Sequence, residues 1–273
     1  MKHIIAFMGG GNMASAILGG LLRQGMAPQQ LMVVDPSPEA CQRLSAQGVQ
    51  AFTAAGPDLA RADLVVWAVK PQVFAEAARP AVPHVRGALH LSVAAGITSD
   101  SIAHWLGTQR IVRAMPNTPA LVGLGQTGLY ARPPVSAADR QLVEQVLAAT
   151  GQSLWVEPEP LLDAVTALSG SGPAYCFYFI EAMVRAGTAM GLTEAQAKQL
   201  AVGTMAGAAE LARASSEPPA VLRERVTSKG GTTHAALTHM EAMHVGDHFQ
   251  EALEKARRSE ERRVGKECLR LCR

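Results

Sequence analysis

The chain has 273 residues, is 48% hydrophobic and carries a formal net charge of +2, enough for one large domain or two modest ones. A nearly neutral balance, with no concentrated basic patch before the far C-terminus, argues against nucleic acid as the main partner. Aromatic residues make up only 4% while alanine and glycine are abundant, a composition that suits closely packed helices better than a β-sandwich.

Residues 3–8 read as a strand. Their apolar run is too short for a signal peptide, and a glycine triplet follows instead of a cleavage site. No stretch reaches transmembrane length without charge, so a cytoplasmic protein is expected. A helix over residues 12–24 ends at Gly25 in the C′ position, and residues 31–34 form the next strand. Ser37 and Pro38 make an N-cap and first-turn proline for a helix near Glu39. The unbroken apolar run 64–69 is what a strand buried on both faces requires. Strands at 89–93, 110–115 and 126–131, a helix over 137–149 and a strand at 153–156 complete a βαβ-type unit.

At Glu157-Pro158-Glu159-Pro160 the pattern changes to a linker, and strand signals stop. Helices are expected over 173–190, ending at Gly191, and from a Thr193/Gln196 capping box to about residue 214. Two shorter helices, 219–226 and 232–243, flank a glycine turn at 228–231. The spacing of Gly203 and Gly207 predicts close helix–helix packing. The organisation expected is α/β, an N-terminal βαβ-type domain (1–158) followed by an all-α domain (159–257).

Cys41 and Cys176 read as small core residues. Residues 258–268, RSEERRVGKEC, read like a translated sequencing-adapter fragment, so residues 258–273, with Cys268 and Cys272, are set aside as a non-native tail. His234, His239, His244 and His248 resemble a metal cluster on paper. Gly246 and Asp247 read as a helix stop and a new cap, which would separate them, and no metal is expected. Met183, Met190, Met205, Met240 and Met243 read as core or interface packing.

The chemistry begins after the first strand. Met8 ends it, and Gly9-Gly10-Gly11-Asn12-Met13-Ala14 fits G-x-G-x-x-A between a strand and a helix. Gly9 permits the tight turn, Gly11 lets the backbone approach a pyrophosphate, and Ala14 lets the helix lie on the sheet. The anion would rest on the free N–H groups of the helix start. Asp35 ends the second strand, where a carboxylate can accept hydrogen bonds from an adenosine ribose and repel a 2′-phosphate. Ser37 could instead receive that phosphate, with Arg43 within reach, so NADPH and NADH both stay open. An ordinary glycine turn, and a solvated turn residue at Asp35, are the plainer readings of the same residues.

The stretches GGGNMASAI from Gly9, AVKPQ from Ala68, SVAAGIT from Ser92, RAMPNTPA from Arg113, ALSGSGPAY from Ala167 and SKGGTTHAAL from Ser228 occur in one order. Over residues 3–257 the chain resembles the pyrroline-5-carboxylate reductases. The resemblance implies a Rossmann-like domain, a helical domain that pairs with a second subunit, and an active site between them that is completed across the dimer. It implies that Ala68, Val69, Lys70, Pro71, Val93, Ala94 and Ala95 line the cofactor. It also implies that Ser228, Gly230, Gly231, Thr232 and Thr233 bind the substrate, a cyclic imino acid. Ala55 stands where many relatives place an Asn near the cofactor.

Reduction of such an imine needs a hydride on carbon, a proton on nitrogen and a fixed carboxylate. Consecutive glycine N–H groups before a helix can hold that carboxylate. Thr233, by match to the family motif, would face the imine nitrogen as a hydrogen-bond partner. The plainer alternative is a helix cap made by Ser228 or Thr232. Lys70 stands where ligands of α/β sheets gather, and a Lys-Pro turn explains it equally simply. Asn117 could orient the nicotinamide side or only form a turn. A β-hydroxyacid or open-chain imine reductase of the same plan would carry a lysine on the first long helix after the linker, where residues 174–189 have none. A non-catalytic redox sensor is the remaining alternative.

Overall fold

A computed structural model describes residues 2–271, and the side chains of residues 2–262. Contacts divide it into two compact units, one of residues 1–171 with 256–273, the other of residues 172–255.

The first unit is built on an eight-stranded sheet: β1 (Ile5–Met8), β2 (Leu31–Val34), β3 (Gln50–Phe52), β4 (Leu64–Trp67), β5 (Leu89–Ser92), β6 (Ile111–Met115), β7 (Gly125–Ala131) and β8 (Gly151–Trp155). The spatial order is β3-β2-β1-β4-β5-β6-β7-β8. Every pairing is parallel except β6 with β7. That order is the doubly wound plan in which the chain reverses direction between β1 and β4. Strands β1, β2 and β4 are buried along their whole length, because helices cover both faces and no polar alternation is needed. One apolar layer gathers Phe7, Ile17, Leu21 and Val66, the other Met32, Trp67, Phe74 and Ile102.

Helices α1 (Asn12–Arg23), α2 (Pro38–Ser45), α3 (Phe74–Ala81), α4 (Ser99–Leu106) and α5 (Ala137–Leu147) cross between strands. Ser37 caps α2 through Ala40 N–H at 3.2 Å, with Pro38 in the first turn. Strand β3 and helices α3 and α4 are elements that periodicity alone does not announce.

The segment 157–160 is pinned rather than a free linker. Glu159 accepts from the Ser99 N–H at 2.7 Å, from the Ser99 hydroxyl at 2.6 Å and from Arg113 Nη1 at 2.7 Å. After it, α6 (Leu161–Val165) continues into a π-turn over Thr166–Gly170. Val165 fills the space over Gly128, where a Cβ would lie 2.7 Å away. These contacts carry the first unit on to Ser171.

The second unit holds α7 (Gly172–Ala189), α8 (Glu194–Ala214), α9 (Pro219–Arg225) and α10 (Thr232–Ala242), and most of the first turns of α11 (Val245–Leu271). Thr193 and Gln196 form the expected capping box. Three expectations are corrected here. Gly203 and Gly207 meet nothing within 4 Å, so the close packing their spacing predicts is not made within the chain. Cys176 is exposed because it lies on an uncovered face of α7, whereas Cys41 is buried and donates to the Asp35 carbonyl at 3.2 Å. Gly246 and Asp247 lie inside the first turn of α11, because the break comes earlier, at His244 with φ of 51°. Met183, Met190, Met240 and Met243 are likewise exposed, so none of these four is a core residue of the single chain. Helix α11 continues through residue 258 to Leu271; Cys268 and Cys272 lie outside the residues whose side chains are described.

Candidate functional site

Ligands of doubly wound sheets gather at the C-terminal ends of the strands. Register pairs Met8 with Val34 and with Trp67, and Trp67 with Ser92, so β1, β2, β4 and β5 end at one level. Residues 9–13, 35–37, 68–71 and 93–95 follow directly, and the fold brings these expected cofactor residues to one edge.

The glycine loop is shaped for something larger than a side chain. Gly9 has φ of 95°, and a Cβ there would lie 2.7 Å from the Ala68 carbonyl oxygen, so β4 and the loop touch only because the residue is glycine. Gly11 is the N-cap of α1, has no side-chain cap and would meet nothing within 4 Å if it carried a Cβ. The first N–H groups of α1 therefore open onto free space, the condition for an anion at a helix start. The Gly10 peptide is braced from both sides: its N–H donates to Asp35 Oδ2 at 2.6 Å, and its carbonyl accepts from Arg43 Nη2 at 3.1 Å.

Beside the loop lies a mainly apolar cleft of about 400 Å³, which suits an adenosine moiety. Met8, Gly9 and Val69 line it, as do Thr53, Ala54 and Ala55 after β3 and Val73, Glu76 and Ala77 around α3. Of this second group only Ala55 was marked by the sequence. The signal for the rest is topological, since a segment leaving β3 must pass beside the end of β2. A larger cavity of about 510 Å³ lies at the opposite strand ends. Arg110 there is paired with Asp139 at 2.5 Å, and His3 lies 3.5 Å from Asp63; the cavity holds no expected site residue.

Asn117, two residues past β6, is nearly buried. Its Nδ2 donates to the Ser169 carbonyl at 3.1 Å and hydroxyl at 3.3 Å, and its Oδ1 accepts from Gln126 N–H at 2.9 Å. It therefore ties the π-turn to the ends of β6 and β7, a job beyond forming its own turn. Gly170 is required in the same place, because a Cβ would meet Met115 Cε at 2.7 Å. Lys70 is exposed before Pro71.

In the second unit, Gly230 has φ of 76°, and the Gly231 N–H returns to the Ser228 carbonyl at 2.9 Å. Gly231 is the N-cap of α10 and has no side-chain cap. The plainer reading, a cap from the Ser228 or Thr232 hydroxyl, is therefore not what the turn contains. Thr232 is exposed and Thr233, in the first turn of α10, is half-buried. Among the described residues no group of histidine, cysteine or acidic side chains is arranged to hold a metal ion.

A doubly wound sheet with an open glycine loop at its carboxyl edge defines a Rossmann-type dinucleotide-binding protein, here joined to a helical unit. Residues 4–96 match the family model "NADP oxidoreductase coenzyme F420-dependent", and residues 159–262 match "Pyrroline-5-carboxylate reductase dimerisation". The pyrroline-5-carboxylate reductase of Pseudomonas aeruginosa is 43% identical over 241 residues, 87% of this chain and 88% of that protein. The solved reductase of Coxiella burnetii superposes with a TM-score of 0.92 at 36% identity, over 96% of this chain and 99% of that one. The Plasmodium falciparum enzyme, solved with NADP bound, gives 0.85 at 27% identity over 96% and 98%. The chain belongs to the pyrroline-5-carboxylate reductase family.

Proposed function

We propose that this chain reduces 1-pyrroline-5-carboxylate to L-proline with NADH or NADPH, the final step of proline formation. The observation that carries the reading is a repeated device. Two helices, α1 and α10, begin at a glycine N-cap with no side-chain cap, one serving the dinucleotide and the other the substrate carboxylate. The cofactor, when bound, supplies a hydride to the imine carbon. The protein's share is to hold and orient. Asn12 and Met13 would offer N–H groups to the pyrophosphate, Asp35 would meet the ribose, and Ala68, Val69, Pro71, Val93, Ala94 and Ala95 would wall the cofactor. Gly230 and Thr232 would offer N–H groups to the carboxylate, beside the Ser228 hydroxyl, while Gly231, its own N–H held by the Ser228 carbonyl, shapes the turn. The Thr233 hydroxyl would hydrogen-bond the imine nitrogen, and the proton that nitrogen carries can come from solvent, since a hydroxyl does not titrate near neutrality.

The helical unit would self-associate into a homodimer or larger homo-oligomer. Phe177, Tyr178, Leu200 and Leu211 are each more than half exposed in the single chain, which is the condition of an unpaired interface. Among the described residues no helix is long and apolar enough to cross a membrane; a cytoplasmic location belongs to this proposal.

The test is to mix the protein with pyrroline-5-carboxylate and each reduced cofactor and follow loss of the nicotinamide absorbance. Oxidation is expected, and none with either cofactor would remove the reading. Thr233→Ala should slow turnover about tenfold, the worth of one well-placed hydrogen bond, while dinucleotide binding is kept. An undiminished rate would remove Thr233 from its role.

A further inference from the structure

NADH and NADPH differ only by a phosphate on the 2′ oxygen of the adenosine ribose, and residues at the end of the second strand meet that oxygen in doubly wound folds. Here β2 delivers Asp35, Pro36 and Ser37. The Asp35 side chain is fixed: Oδ2 accepts from the Gly10 N–H at 2.6 Å and Oδ1 from the Ser37 N–H at 2.9 Å. Each of those oxygens keeps a further lone pair, so the carboxylate can still accept from ribose hydroxyls.

Ser37 is the residue that could have received a phosphate. Its hydroxyl donates to Glu39 Oε2 at 2.7 Å and accepts from the Ala40 N–H at 3.2 Å. A hydroxyl has one hydrogen to give, and Glu39 has it. The same bond holds the Glu39 carboxyl below the usual range, so Glu39 is anionic at neutral pH. Arg43 reaches this corner, but its Nη2 donates to the Gly10 carbonyl at 3.1 Å. Among the described residues, the adjoining cleft is lined by Glu76 and by no lysine or arginine.

We infer that this chain selects NADH over NADPH, with Asp35 and Glu39 setting the preference. A 2′-phosphate would bring about two further negative charges to a corner that already holds two carboxylates against the single guanidinium of Arg43, which its bond to the Gly10 carbonyl holds on the loop. The inference rests on the dinucleotide reading above and sharpens it.

Dissociation constants of NADH and NADPH for the full chain, from nicotinamide fluorescence, test it, with 5′-AMP and 2′,5′-ADP as non-reacting probes. At low salt NADH should bind at least about tenfold tighter, and 5′-AMP should likewise bind tighter than 2′,5′-ADP. Because the penalty is repulsion, added salt should narrow the margin. A phosphate held by cations would respond in the opposite sense. Glu39 is exposed, so Glu39→Gln should fold normally and narrow the margin several-fold, and Glu39→Arg should narrow it further. Tighter NADPH, or a margin indifferent to salt and to both Glu39 variants, would overturn the inference. Failure of all four nucleotides to bind would instead strike the dinucleotide reading itself, and the inference with it.

Discussion

The two units bury their apolar side chains in opposite ways. In the sheet unit Phe7, Ile17, Trp67 and Phe74 are wholly inaccessible. In the helical unit α7 buries only Gly187, α8 only Ala197 and Ala201, and α9 and α10 nothing, while Phe177, Met190 and Leu211 stand open. A sheet covered on both faces completes its own core. Helices that bury so few of their own side chains do not, and their apolar stripes stay open in the single chain. Polar and apolar substitutions should consequently have unequal effects in the two units.

The largest effect is expected where a charge is buried in the sheet unit. Arg113, 9% exposed, has its ion-pair partner in Glu159, which also satisfies the start of α4 through Ser99. Removing one partner strands the other in a poorly solvated place. Glu159→Gln should cost about 3 kcal/mol in denaturant unfolding. A loss below about 1 kcal/mol, the range of surface pairs, would show the segment 157–160 to be the free linker its prolines suggest.

A smaller effect should appear with pH. His90 on β5 is buried, and its Nδ1 accepts from Trp67 Nε1 at 3.1 Å. Burial, with the nearby Arg110 guanidinium, pushes the imidazole down to about 4. The unfolded chain takes up a proton near pH 6.5, which the folded chain refuses until about pH 4. Stability is therefore whole above pH 6.5 and falls as the pH drops through that window. Between pH 7 and pH 5 the loss from this group should be about 2 kcal/mol. His90→Gln keeps an acceptor for Trp67 and should flatten that part of the profile. Equal slopes in the two proteins would deny His90 the role.

The same contrast explains what could be read from the amino acids. Strands β1, β2 and β4 were legible as unbroken apolar runs, and the Gly9–Gly11 loop as glycines set between a strand and a helix. Strand β3 was not, because Gln50, Ala51 and Phe52 form a half-buried edge with no run to notice. Helix α3 was hidden by Pro80 inside it, and α4 by its brevity and its three polar first residues. The site followed suit: loop residues were local in sequence, whereas the Asn117–Ser169 bridge spans 52 positions and only folding reveals it. In the helical unit, capping and glycine turns marked the ends of α7 to α10, but not the break before α11, which falls at His244 rather than at Gly246. What the pattern could not say is which faces stay open, since an apolar stripe looks the same whether the chain or a second copy covers it.

The smallest effect on the chain, and the most telling, should come from such a stripe. Phe177 on α7 is 66% exposed, so Phe177→Glu buries no charge within the chain and should alter its own stability by only about 0.5 kcal/mol. A charge at the centre of a helical interface is different, because association would desolvate it without a partner. The wild-type protein should sediment as a dimer or larger assembly, and its melting temperature should rise with concentration, as it must when association stabilises the fold. The variant should sediment lighter and melt at a temperature that no longer depends on concentration. If mass and concentration dependence were unchanged, the open face of α7 would not be where subunits meet, and the contrast between a self-sufficient sheet and a partner-dependent helical unit would have to be moved to another helix.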